Sequence, residues 1–203
     1  SLYEDIKTTY WADFEGDIAR SAVKGGKVST SGFDVWAEDY LQFRAGRYQQ
    51  NHALVLGWKS DSIPKRASYT ITFDSLMSLN QKDWLTLSVA AGDPSLLDEV
   101  SEDSLVNDFV IVLQDSLGNK ASKLLSEYKW ITPRLKIRFL KTKELTIDRY
   151  DNEWEPVLES IFIPIAGFKG IDFSAIEAIS IEANTIKPGI VLLDRIGIRK
   201  SKF

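Results

Sequence analysis

The chain has 203 residues, enough to bury about 70% of the surface its unfolded form exposes and so to sustain a core of its own. Its 44% hydrophobic and 27% charged residues are ordinary globular proportions and exclude a wholly disordered chain. The net charge of −4 argues against nucleic acid as a partner, since a polyanion binder carries a basic excess. The absence of cysteine excludes thiol nucleophiles, disulfides, iron–sulfur clusters and thiolate zinc sites, and a single histidine, His52, excludes a multi-histidine zinc site within one chain. Enzyme chemistry would fall to a triad through His52 or to carboxylates. The 29 acidic residues permit a glycosidase-type pair without pointing to one.

The N-terminal SLYEDIKTTYW has no basic stretch followed by an apolar one, so no signal peptide is expected in this chain. No apolar run approaches the roughly 20 residues of a membrane span. A cysteine-free chain suits the cytosol and also a secreted bacterial module that never relied on disulfides. Short β-like runs then follow one another: Tyr10–Glu15, Trp36–Arg44, Ala53–Lys59, Tyr69–Phe73, Trp84–Ala90, Asp108–Gln114, Lys120–Leu125, Arg134–Leu140, Leu158–Ile165, Ala178–Ala183 and Gly189–Ile198. Turn chemistry separates them, as at Gly25-Gly26, Gly92-Asp93-Pro94, Gly118-Asn119 and Lys187-Pro188-Gly189. Runs at spacings of roughly 10 to 20 residues predict an all-β sandwich.

Alternation sets the faces. Leu54, Leu56 and Trp58 share one face of their run; Leu135, Ile137 and Phe139 oppose Arg134, Lys136 and Arg138 in theirs. The more continuously apolar Asp108–Gln114 reads as a central strand, joined through Asp115–Asn119 to the next by a hairpin whose Gly118-Asn119 supplies positive φ. Leu96–Asn107 carries Asp98, Glu99, Glu102 and Asp103 and reads as a short acidic helix or a solvated loop inserted into the sandwich. Asp172–Ile176 reads as one helical turn. No linker-like stretch divides the chain, so residues 1–203 are expected to form one domain.

Six tryptophans and seven tyrosines are a heavy aromatic load. Trp11, Trp36, Trp58 and Trp84 lie in strand-like runs, and most of them are expected in the core. Trp130, with Tyr128, and Trp154, with Tyr150, sit instead in polar loop-like surroundings. Such rings suit a sugar: a flat apolar platform for its C–H face beside polar groups for its hydroxyls. The alternative is that both tryptophans cover a sheet edge. His52, at the start of a strand and without a G-x-S-x-G partner motif, reads as structural. Carboxylates near both ends, Asp13, Glu15 and Asp17 early and Asp194 late, are of a type that calcium takes. Asp194 would equally pair with Arg195 or Arg199, or accept from a turn amide.

Phe162-Ile163-Pro164-Ile165, Gly170-Ile171-Asp172-Phe173-Ser174-Ala175-Ile176 and Gly189–Ile198 with its Leu193-Asp194-Arg195-Ile196 resemble the end of galactose-binding-like β-jelly-rolls. In these a strand ends at proline, an Asp-aromatic-Ser turn follows, and a Leu-Asp-x-Ile strand closes the fold. Trp11-Ala12-Asp13-Phe14-Glu15-Gly16 is similar to their opening strand. The family includes carbohydrate-binding modules of secreted bacterial glycoside hydrolases. The resemblance implies a structural calcium bridging the first and last strands, held by Glu15 and Asp194.

The expectation is therefore a single-domain antiparallel β-sandwich of jelly-roll type. It would act as a non-catalytic accessory module of an extracellular or cell-surface bacterial protein, binding a glycan through Tyr128, Trp130, Tyr150 and Trp154. The alternative is a structural or protein-interaction domain packed against a catalytic domain in the same parent chain.

Overall fold

The computed structural model describes residues 8–14, 23–44, 50–59, 65–98, 100–136 and 154–201. Within them the chain is all-β. In chain order the strands are β1 Thr8–Ala12, β2 Gly26–Ser31, β3 Val35–Arg44, β4 Gln50–Trp58, β5 Lys65–Met77, β6 Trp84–Ala91, β7 Val110–Asp115, β8 Lys120–Leu124, β9 Leu135–Lys136, β10 Trp154–Glu155, β11 Glu159–Pro164, β12 Ile176–Thr185 and β13 Gly189–Arg199. The first sheet runs β11-β6-β13-β4-β3, with β1 also on β13; the second runs β2-β5-β12-β7-β8. All the pairings are antiparallel. Among the described residues no helix is long and apolar enough to cross a membrane.

Period-2 alternation builds this sandwich. Leu54, Leu56 and Trp58 of β4, Leu85, Leu87 and Val89 of β6, and Val191 and Leu193 of β13 point inward from the first sheet. Tyr69 and Ile71 of β5 and Ile179 and Ile181 of β12 meet them from the second. Each buried aliphatic or aromatic side chain contributes about 1.5–3 kcal/mol relative to exposure. Trp58 is satisfied as well as buried, since its indole N–H donates to the Lys187 carbonyl at 3.0 Å. A Cβ on Gly189 would collide with that indole, so the ring lies flat on β13 only because residue 189 is glycine.

The hairpin at Asp115–Asn119 forms as its composition predicts: β7 pairs with β8, and Gly118 takes φ +82°. Asp115 is fully buried beneath the turn. It accepts from the amides of Leu117, Asn119 and Asp172 and from the Asn119 side chain, at 2.9–3.0 Å. These donors, the Asp172 amide first, hold its carboxyl below the usual carboxylate range.

Three expectations change. The Leu96–Asn107 insertion is neither an acidic helix nor a solvated loop. It forms two 3-10 turns, Pro94–Leu97 and Glu102–Ser104. Leu97 is fully buried, with Leu96, Val100 and Leu105 packed beside it, over Ala53, Val55, Ala90, Ile190 and Leu192 on the outer face of the first sheet. Its acids faced solvent in the sequence pattern, but its leucines had a second apolar surface to cover. Arg134 clamps this cover, reaching Asp93 at 3.2 Å and Glu102 at 3.3 Å. Trp36 and Trp84 are not core residues: they are half-exposed, because Trp36 sits on edge strand β3 and Trp84 points outward opposite Arg199. Asp172–Ile176 is a turn rather than a helical one, with the Asp172 carboxylate accepting from the Ser174 amide and hydroxyl.

The first and last strands are neighbours. β4 occupies one side of β13 along Gly189–Leu193, and β1 takes over the same side along Ile196–Arg199. At the changeover β13 bulges between Asp194 and Gly197, and Arg195 adopts φ +53°. A left-handed non-glycine residue carries a conformational cost. Here it keeps Ile196 in the core while Arg195 points out.

Candidate functional site

Of the aromatic residues read as a platform, Trp130 stands open, with 71% of its surface exposed. It follows a 3-10 turn, Leu125–Glu127, after β8. The segment is pinned to β11 by Glu159, which accepts from Lys129 and Thr132 at 2.8 Å each. Those two bonds, the lysine's first, hold the Glu159 carboxyl below its usual range. Tyr128 does not share the platform: it packs partly buried against the main core, with its hydroxyl toward Gly167. Tyr150 lies outside the described residues. Trp154 is placed only through the backbone of β10, opposite Lys136 of β9.

Of the calcium pair, Glu15 lies outside the described residues. Asp194 is buried on the outward side of the first sheet, opposite Ser88, with Arg195 Nε 3.5 Å from its carboxylate. Asp13 pairs with Lys24 at 4.0 Å. Among the described residues no three carboxylate or histidine side chains gather. Calcium takes six to eight oxygens, and Asp194 is the one member of the implied pair among the described residues.

The two outer faces of the sandwich differ. That of the first sheet is covered over its β4-β13-β6 part by the Leu97 segment. That of the second sheet presents mainly polar side chains among the described residues. Register aligns Ser29, Thr70, Ser180, Val112 and Ser122 in one row across all five strands, about 19 Å at the usual strand spacing. Thr70 and Ser180 hydroxyls share a hydrogen bond of 2.8 Å, and Ser31 and Ser68 one of 3.1 Å.

One end of this face is a groove of about 350 Å³ lined by Ser31, Arg66, Ser68, Glu182 and Asn184. Register explains the convergence: Ser31, Ser68 and Glu182 form one row, and Arg66 and Asn184 are opposite one another two residues further on. Gly32, next to Ser31 and at φ +75°, packs on the β5 backbone; a Cβ there would collide with the Arg66 carbonyl. Among the described residues, neither Arg66 nor Glu182 nor Asn184 has a side-chain hydrogen bond or ion pair. A guanidinium, a carboxylate and an amide thus offer donors and acceptors, outward and unspent, beside two hydroxyls.

Sequence reasoning passed over these residues. Their signal was the Ser/Thr alternation in Lys27-Val28-Ser29-Thr30-Ser31 and in Arg66–Thr72. It marks a half-buried strand equally well when the polar face binds nothing.

No family model and no curated protein matches the chain. Solved structures do. A family 30 carbohydrate-binding module of a cellulosomal cellulase of Clostridium thermocellum aligns at 13% identity over 88% of this chain and 93% of its own, with a TM-score of 0.56. A family 11 carbohydrate-binding module of another cellulosomal cellulase of that organism aligns at 14% identity over 98% and 97%, with a TM-score of 0.50. An agarase aligns at 13% identity and a TM-score of 0.54 over 96% of this chain but 24% of its own. At these identities the likeness is one of fold. The two packed antiparallel sheets are the β-jelly-roll sandwich of carbohydrate-binding modules, as the motifs at the two ends of the sequence imply.

Proposed function

We propose that the chain is a non-catalytic carbohydrate-binding module that takes an extended glycan along the open face of its second sheet. The observation that carries this reading is the groove at Ser31, Arg66, Ser68, Glu182 and Asn184, whose three longer side chains have no partner among the described residues. A guanidinium donating to one hydroxyl of a sugar diol, with a carboxylate accepting from the next, is a common way to read sugar hydroxyls. The row of hydroxyls through Thr70 and Ser180 extends the contact along a chain. Trp130 supplies a stacking ring at the sandwich side. Stacking that buries about 100 Å² gives about 2.5 kcal/mol before entropy is subtracted. Two or three added hydrogen bonds bring affinity to between millimolar and micromolar.

Fold neighbours from cellulosomal cellulases and agarases support a place outside the cell, as an accessory to a polysaccharide-degrading protein. The test is isothermal titration calorimetry with a β-1,3-1,4-mixed-linked tetrasaccharide, cellotetraose and agarotetraose. At least one should bind, and Arg66→Ala or Glu182→Ala should weaken it tenfold or more without lowering the melting temperature. If none binds at millimolar concentration, the packing-domain reading takes its place. Two observations favour that second reading: the open face carries no aromatic ring in its central rows, and the agarases hold this fold as about a quarter of a longer chain.

A further inference from the structure

The loops at the far end of the sandwich from the Arg66 groove form a wider pocket, of about 870 Å³. Sites for small molecules usually span about 300–1,000 Å³. β5 begins beside the groove and ends at this pocket, so the two lie at opposite ends of one strand. Three segments wall it: residues 78–83 between β5 and β6, residues 171–174 before β12, and Lys200 with Ser201 after β13. Hydrogen bonds fix these walls to one another. The Leu79 amide donates to the Phe173 carbonyl at 2.8 Å. Asp83, 6% exposed, accepts from the Asn80 amide at 3.3 Å and from the Ser201 amide at 3.0 Å. The Asn80 side chain accepts from the Lys82 amide at 2.9 Å and shapes the turn that presents Gln81 and Lys82. Ile171 and Phe173 pack partly buried on the main core and give the pocket an apolar side.

The charges of the pocket are unevenly spent. Both oxygens of Asp83 are on backbone amides. Asp172 Oδ1 accepts from the Ser174 amide at 2.9 Å and from its hydroxyl at 2.7 Å. Among the described residues, Lys82 and Lys200 have no ion pair and no side-chain hydrogen bond, and both are exposed. They stand on different walls, one on the β5–β6 turn and one just past β13. The exposed Gln81 adds an amide beside Lys82. Two ammonium groups and an amide donate to anions and hydroxyls, and a half-buried phenyl ring takes an apolar surface. An acidic sugar combines these features: hydroxyls and a negative group around a ring with an apolar C–H face.

We infer that this pocket is a second carbohydrate site, for an acidic oligosaccharide whose carboxylates or sulfate esters meet Lys82 and Lys200. A sugar ring lies against Phe173 and Ile171, and Gln81 donates to one of its hydroxyls. Asp172 accepts from another with the oxygen that Ser174 leaves open. The pocket shares no residue with the groove on the second sheet, so the inference stands apart from the reading of that face.

The experiment is calorimetric titration of the whole chain with trigalacturonate and with a sulfated carrageenan tetrasaccharide, each against neutral agarotetraose, at 20 and 200 mM salt. At least one anionic probe should bind, more weakly at the higher salt, and which one binds identifies the anionic group. The double variant Lys82→Gln, Lys200→Gln should weaken it tenfold or more and remove most of the salt dependence, and each single variant should fall between. All three should melt close to wild type, because exposed side chains without partners hold little of the fold. Arg66→Ala, at the other end of β5, should leave the binding unchanged. No binding of either anionic probe at millimolar concentration, or a double variant that binds as wild type, overturns the inference. Loss on Arg66→Ala instead moves the anion to the groove on the second sheet and overturns it equally. Neither result depends on whether a neutral glycan occupies the open face.

Discussion

Leu97→Ala tests whether the first sheet's outer face is closed by its own chain. Leu97 is fully buried, and one of its methyl groups lies against Gly57, where an added Cβ would stand 3.0 Å from it. Alanine removes three carbons, about 2.4 kcal/mol at 0.8 kcal/mol per carbon. The cavity adds to this, because Ala53, Val55, Ile190 and Leu192 beneath are fixed in strands and cannot collapse into it. The expected loss is about 3–4 kcal/mol. In a domain of this size that lowers the melting temperature by about 10 °C. Urea unfolding read by tryptophan fluorescence checks the free energy, and calorimetry checks the temperature. Affinity for any glycan on the second sheet should not change, since Leu97 lies on the opposite outer face. A loss below about 1 kcal/mol would mean that the segment rests on the sheet without sealing it, and would refute the assignment of that face as covered.

Asp115→Asn should destabilise the protein at neutral pH by weakening four hydrogen bonds. Because the native carboxyl is held low, its contribution is complete above the ordinary unfolded value of about 3.9 and is lost as pH falls through the native one. Urea midpoints of wild type and variant should differ most at pH 5–7 and draw together below about pH 4; a constant gap would contradict this. Trp130→Ala should change stability by less than about 1 kcal/mol, as expected of an exposed site; a loss of several kcal/mol would make it a structural cover. Chelator should leave the melting temperature unchanged, since Arg195 already faces Asp194. A rise of several degrees with added calcium would instead assign a site to Glu15 and Asp194, by the mass-action stabilisation of a metal that binds only the folded state.

Much of the sandwich was legible in the sequence because a strand's alternation states which side is buried. Leu54, Leu56 and Trp58 read as one inward face and form one, and Asp115–Asn119 read as a hairpin because its glycine supplies the left-handed residue. What the sequence hid were surfaces whose second side is also used. Trp84 looked like core because it stands in an apolar run, yet it points outward. Leu96 and Leu97 were masked by the acids around them, because the apolar patch they cover comes from strands far away in the chain. Tyr128 and Trp130, two residues apart, looked like one platform, but one packs on the core and the other stands free. The polar groove could not be read at all. Arg66 and Glu182 are more than a hundred residues apart, and only the pairing of β5 with β12 makes them neighbours.

The most direct measurement is a two-dimensional NMR titration of the isotopically labelled chain with the mixed-linked tetrasaccharide and with agarotetraose. Binding of at least one should move the backbone amides of Ser68, Thr70, Ser180 and Glu182 in a saturable manner, and leave those of Ala53, Val55 and Leu192 beneath the Leu97 cover in place. Saturable shifts confined to residues outside the second sheet, or none with either sugar at millimolar concentration, would contradict the proposal that this open face binds glycan.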